Sequence, residues 1–403
     1  MFYVGQSVEV LQNRWVPCQV TFVDVTTGSI QVDLFPGYEI TREQQASYVR
    51  LGTDNKGPYI ARGYSQKIWE KNWLHSLGKT CVTWCVDLCP CIPAGALRLQ
   101  LMPRSGEQVD PRQMARMRSL TLQHLRGAYT VSDLWTTDGV RLDAVWSPPV
   151  GRANGWAVLL FHGNGMTCDD MAPFASFYTR QGFSTFMIMM RGYPGSGGDS
   201  ATDGEPGIYH DAAAVVKYVE RKGYRKARIL AHGYSLGGAF AAAAATQHQL
   251  AALTLDHTFT NPKEVSVNIT SQMEIAIQNH KFHLPAWIVA GAMGGAFRSG
   301  HKVDLGAGLI VETDGLRSLK KVIEYKGDLK FFVIYGTQDP LMPVSFAESF
   351  LEARYPNGQW RDSKRKRPVF AAVEGGTHVE GHIYDVPSCG RRYQEHLNAL
   401  VGR

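Results

Sequence analysis

Ser235 stands in the run Gly233-Tyr234-Ser235-Leu236-Gly237-Gly238, between the apolar stretch Ala227 to His232 and the Ala-rich stretch Gly238 to Ala245. That order reads as strand, sharp turn, helix, with the serine in a strained backbone conformation that lifts its hydroxyl clear of the sheet. Gly233 and Gly237 must be nearly bare because strand and helix approach most closely there. A serine hydroxyl attacks a carbonyl only if a neutral imidazole takes its proton and a carboxylate holds the imidazole's tautomer. Both partners follow in the chain. Asp339 lies in Gly336-Thr337-Gln338-Asp339-Pro340, directly after the apolar run Lys330 to Tyr335, and His378 closes Glu374-Gly375-Gly376-Thr377-His378. We assign Ser235 as the expected nucleophile, His378 as general base and acid, and Asp339 as the group that orients it. Asp256, ending the run Leu250 to Leu255, is the rival acid, and His382 is the rival base.

These residues need a scaffold that brings strand ends to one edge. The apolar runs Trp156 to Phe161, Ala227 to His232, Leu250 to Leu255, Lys330 to Tyr335 and Pro368 to Val373 read as buried parallel strands. Open sheets of that kind place their sites just past the carboxyl ends of the strands. Trp156 to Phe161 ends in His162-Gly163-Asn164-Gly165, a small-residue loop able to aim a backbone N–H at a developing oxyanion. Asn164, Gly165 and Leu236, the residue after the serine, are the expected oxyanion donors. His162 and His232 read as structural hydrogen-bonding groups.

From about Trp135 to Arg403 the chain resembles the α/β-hydrolases, and within them the eukaryotic serine hydrolases that include the acyl-protein depalmitoylases. The residues that carry the resemblance are Asp138 to Leu142, His162 to Gly165, Arg191 to Ser196, Gly207 to Ala212, Ser235 to Gly238, Phe259-Thr260 and Asp339. The likeness implies an α/β-hydrolase fold, a mostly parallel sheet with helices on both faces, and cleavage of a carboxylic ester or thioester through an acyl-enzyme. The chain departs from the pattern at Gly375-Gly376-Thr377-His378, which stands where a small-Gly-His run is more usual, and in its long segment between Asn261 and Leu329.

No cofactor or metal is expected. Gly192 to Gly198 lacks the lysine of a phosphate loop and the spacing of a dinucleotide fingerprint. A net charge of +6 over 403 residues is too mild to imply nucleic acid. The N-terminus turns polar at once, and no apolar stretch of about 18 residues occurs, so a cytoplasmic enzyme is expected. Seven cysteines, an odd number, suggest free thiols. Cys81, Cys85, Cys89 and Cys91 cluster among apolar residues. A buried segment docked on the hydrolase domain is the first reading; a membrane-surface segment carrying S-acyl groups is the second, and zinc, at unpaired spacing, the third.

Residues 1–52 hold short period-2 runs, Val8 to Leu11, Trp15 to Val23, Ser29 to Leu34 and Ala46 to Leu51, divided by turn residues. They suit a small all-β module that resembles the SH3-like, Tudor and Agenet barrels. Tyr3, Trp15, Phe22 and Tyr38 are its core aromatics or an aromatic cage for a protein partner. Residues 53–110 read as a linker around the Cys segment, and 111–403 as the hydrolase domain, with a lid over about 262–315 whose apolar part is Pro285 to Met293. Such a roof suits hydrophobic acyl groups, on a small molecule or an acylated protein. The competing class is a binding protein on a degenerate hydrolase scaffold, in which the N-terminal module supplies the function. Lys364 to Pro368 reads as a solvated basic loop, and the sequon at Asn268 as unmodified.

Overall fold

The computed structural model describes residues 111–271, 275–277, 280–282, 299–362, 367–379, 382 and 386–402, together with the backbone of four strands among residues 1–52. The chain divides into two compact units, Met1–Leu74 and His75–Arg403. In the first, β1 (Ser7–Leu11), β2 (Trp15–Val23), β3 (Ile30–Val32) and β4 (Val49–Leu51) make an antiparallel sheet in the order β3-β2-β1-β4. The closed barrel expected over 1–52 depends on residues outside those described. So do the cage residues Tyr3 and Tyr38, the cysteines at 81, 85, 89 and 91, and the apolar lid stretch Pro285 to Met293.

The second unit opens with α1 (Pro111–His124), followed by β5 (Tyr129–Trp135), β6 (Arg141–Ser147), β7 (Ala157–Phe161), α2 (Ala172–Thr179) and β8 (Ser184–Ile188). Next come α3 (Ser200–Arg221), β9 (Ile229–Tyr234), α4 (Gly237–His248), β10 (Ala252–Asp256) and α5 (Pro262–Ser271). Two antiparallel hairpins follow, β11 (Ile275–Ile277) with β12 (His280–Phe282) and β13 (Ser299–Asp304) with β14 (Ile310–Asp314). The unit ends with α6 (Ser318–Glu324), β15 (Lys330–Gly336), α7 (Val344–Arg354), β16 (Phe370–Val373) and α8 (Pro387–Val401).

Eight strands form one sheet in the order β16-β15-β10-β9-β7-β8-β6-β5, and all run parallel except β6. This is the α/β-hydrolase fold. β7, β8, β9 and β10 are buried at every position, which is why their sequences read as continuous apolar runs with no alternation. The Ala run of α4 is buried too, and its small side chains let the helix lie close against β7, β9 and β10. The chain leaves β7 for β8 on one side and returns through β9 on the other, so a crevice opens at the carboxyl ends of β7 and β9.

Charge clamps tie the outer elements to this sheet. Arg191, wholly buried after β8, donates to Asp211 of α3 at 2.8 Å and also reaches Asp138 and Asp203. Arg118 of α1 donates to Asp143 of β6 and to Asp169, each at 2.8 Å, docking α1 on the hydrolase unit. Cys168 and Cys389 are buried free thiols. Among the described residues no helix is long and apolar enough to cross a membrane.

Candidate active site

Ser235 follows the last residue of β9 and adopts φ +51°, a left-handed conformation that a non-glycine residue holds only under constraint. The constraint is visible. Its amide donates to the Asp256 carbonyl at 2.8 Å, and its carbonyl accepts from Thr258 Oγ1 at 2.6 Å and from the Gly238 amide at 2.9 Å. A Cβ on Gly233 would strike the Gly237 carbonyl, and one on Gly237 would strike the Phe161 carbonyl, so both bare positions are steric requirements.

Asp339 and His378 reach the serine from two loops at the carboxyl ends of β15 and β16. Ser235 Oγ lies 3.0 Å from His378 Nε2, and His378 Nδ1 lies 2.8 Å from Asp339 Oδ2. The two loops are stitched to each other: the Gln338 amide donates to the Gly376 carbonyl at 3.0 Å, the Gly375 amide to Thr337 Oγ1 at 2.9 Å, and the Thr337 amide to the Val373 carbonyl at 3.0 Å. The Tyr234 hydroxyl donates to the His378 carbonyl. The structure thus brings Ser235, His378 and Asp339 into one hydrogen-bonded line.

Burial pushes the Asp339 carboxyl toward neutrality, but the bond from His378 and the amides of Leu341 and Met342, each 2.9 Å from Oδ1, hold it below the usual carboxylate range. An ionised Asp339 can only accept, so His378 Nδ1 carries its proton. With Nδ1 donating, Nε2 is the ring nitrogen that faces Ser235 Oγ, the arrangement a general base needs.

On the other side of the crevice, His162 and Tyr193 shape the loop after β7. Burial lowers the His162 imidazole to about 4, so the ring is neutral. Its Nε2 accepts from the Met190 amide at 3.3 Å, and its Nδ1 donates to the Gly163 carbonyl at 2.8 Å. The Tyr193 hydroxyl donates to the Asn164 side-chain oxygen at 3.0 Å, and the Gly165 amide faces the same phenol oxygen. Leu236 opens the first turn into α4, where amides have no helical acceptor.

The rivals lie beneath this line. Asp256 does not reach His378; it accepts from His257 Nδ1 at 2.6 Å and from His232 Nε2 at 3.2 Å. Burial works against its charge, yet the two imidazole bonds hold its carboxyl far below the ordinary range. Because His232 Nε2 must donate to the carboxylate, Nδ1 accepts from the Tyr178 hydroxyl at 2.7 Å, and the chain continues through Tyr393 to Thr254. His382 is buried, its imidazole lowered to about 3 by burial, and its ring packs edge-on against Phe174 and Tyr234. Asp256, His257 and His382 offer donor atoms within 4.8 Å of one another. Both Asp256 oxygens are already taken by imidazoles, so the cluster fits a hydrogen-bonded support better than a metal site.

Sequence reasoning missed Tyr234, Thr258, Thr337 and Tyr193 as parts of this arrangement. Tyr234 occupies the open position of the serine motif, and nothing local marks that its hydroxyl meets a carbonyl 144 residues away.

Residues 153–356 match the hydrolase family Hydrolase_4, described as serine aminopeptidase, S33. Protein bem46 of Schizosaccharomyces pombe is 32% identical over 145 residues, which is 34% of this chain and 46% of that protein. The multifunctional-autoprocessing repeats-in-toxin of Vibrio vulnificus is 32% identical over 154 residues, 36% of this chain. The chain spans about half the length of the first of these relatives and 3% of the second. Among solved structures, the esterase Pf2001 of Pyrococcus furiosus is 17% identical, with a TM-score of 0.45, covering 75% of this chain and 97% of its own.

Proposed function

The chain belongs to the serine aminopeptidase S33 family of α/β-hydrolases, and from that premise we propose that it cleaves a carboxylic ester or thioester through an acyl-enzyme on Ser235. The observation that carries this reading is the line Ser235 Oγ, His378, Asp339, with contacts of 3.0 and 2.8 Å. His378 Nε2 takes the hydroxyl proton as Oγ attacks the carbonyl carbon. The oxyanion that forms is met by the Leu236 amide together with that of Asn164, the Gly165 amide being turned to the Tyr193 hydroxyl. The bond to the alcohol or thiol then breaks, and the imidazolium returns the proton to the leaving group. Water attacks the acyl-enzyme by the same route in reverse, and Ser235 is released. Asp339 stays ionised throughout, stabilising the imidazolium.

The family's description favours a peptidase as the second reading. An aminopeptidase must pair the substrate's terminal ammonium with an acceptor. Among the described residues, the buried carboxylates of Asp339 and Asp256 are both committed to imidazoles, which favours ester over amino-terminal peptide substrates. The acyl group is proposed to be hydrophobic and the leaving group a small molecule or a protein thiol.

A fluorophosphonate probe tests the chemistry, because only an activated serine reacts. The wild type should label and Ser235→Ala should not; an unlabelled wild type would return the protein to the class of binding proteins on a hydrolase scaffold. A panel of p-nitrophenyl esters, acyl thioesters and amino-acid p-nitroanilides then separates the substrate classes. Faster turnover of the anilides than of the esters would make the peptidase reading the first.

A further inference from the structure

Tyr234 touches three parts of the site at once. It is the last residue of β9, directly before the serine, and is 4% exposed. Its ring stacks on the His378 imidazole, with 5.6 Å between centroids and 29° between planes, while its hydroxyl donates to the carbonyl of the same residue. The opposite side of the site meets the same ring: a Cβ on Gly163, in the loop after β7, would stand 2.9 Å from Tyr234 Cδ1. His382 packs against the ring edge at 5.0 Å.

Tyr234 adds to the other holds on His378, which include an edge contact with the His257 ring at 6.0 Å between centroids. Asp339 fixes Nδ1 but allows the imidazole to pivot about that bond. The stitches from Thr337 and Gln338 tie the loop at Gly375 and Gly376. The carbonyl of His378 is fixed by Tyr234, on the strand that carries the nucleophile, so base and nucleophile share one rigid mount.

We propose that Tyr234 is a positioning residue that sets the depth and tilt of His378 over Ser235. The inference rests on the acyl-enzyme reading above. Tyr234→Phe removes the hydroxyl and keeps the ring; Tyr234→Leu removes both. Small losses of alignment between base and nucleophile are expensive in rate, while substrate binding does not use this contact.

With p-nitrophenyl butyrate and the full chain, Tyr234→Phe should lower kcat about 10-fold and Tyr234→Leu about 100-fold, with KM within about twofold of wild type. The rate of fluorophosphonate labelling should fall in parallel. Rates are expressed per reactive serine by active-site titration, so that loss of folded protein does not count as loss of alignment. A Tyr234→Phe enzyme with undiminished kcat, or one whose loss lies in KM, would overturn the proposal while leaving the acyl-enzyme reading intact. A wild type that neither labels nor turns over the ester would overturn both.

Discussion

Asp339 spends both oxygens on orientation, one on His378 and one on two amides of its own loop. Replacing it by asparagine keeps the shape but puts an amide where only an acceptor serves, so His378 is offered the wrong tautomer. Asp339→Asn should therefore lower kcat on a p-nitrophenyl ester by on the order of 10³-fold or more, with an unchanged circular-dichroism spectrum. A loss of less than about tenfold would remove Asp339 from the line and reopen the site to another carboxylate. The buried Asp256 is a poor candidate for that place, because its two imidazole partners, His232 and His257, already bind both of its oxygens.

The elbow between β9 and α4 works as an element because strand, turn and helix are pressed together more closely than side chains allow. Ser235 is held at φ +51° by Thr258, Gly238 and the Asp256 carbonyl, and the space for that turn exists only because Gly237 lies under the Phe161 and His162 carbonyls. Gly237→Ala pushes a methyl group into backbone that has no rotamer to yield, unlike a side-chain clash. Urea unfolding should show a loss of about 2–3 kcal/mol or more, together with loss of fluorophosphonate labelling. An unchanged midpoint would mean that α4 can slide along β7, contrary to the packing described.

Across the molecule, buried neutral histidines set the response to acid. Burial lowers His124, His162 and His248 to about 4 and His382 and His396 to about 3. The unfolded chain protonates these rings from about pH 6.5 downward, while the fold resists. Their contribution is thus present above about pH 6.5 and lost as pH falls toward the folded values. Burial also holds up Asp170, to about 7, Asp211, to about 6, and Glu205, which favour the fold as pH falls. Three groups oppose five, so the thermal midpoint should drop steadily between about pH 6.5 and 4.5. Below about pH 4 the depressed carboxyls of Asp256 and Asp339 add to the loss. A midpoint that stays level or rises over the upper window would contradict the burial of these rings.

Local chemistry made much of this legible in the sequence. Gly-x-Ser-x-Gly between an apolar run and an Ala-rich run specifies strand, strained turn and helix through sterics alone, and continuous apolar runs specify strands buried on both faces. The order serine, acid, histidine followed from the same local signals. The sequence also put Asp339 and His378 ahead of Asp256 and His382 but left both rivals standing, because each aspartate lies at the end of a buried strand and each histidine follows β16. Tertiary structure decided it: Asp256 was drawn inward by His232 and His257, and His382 was buried against Phe174 and Tyr234. Stitches between the β15 and β16 loops left Asp339 and His378 at the crevice. A hydrogen bond such as that from Tyr234 to His378 depends on where two distant backbones are brought together, and no run of neighbouring residues encodes that distance.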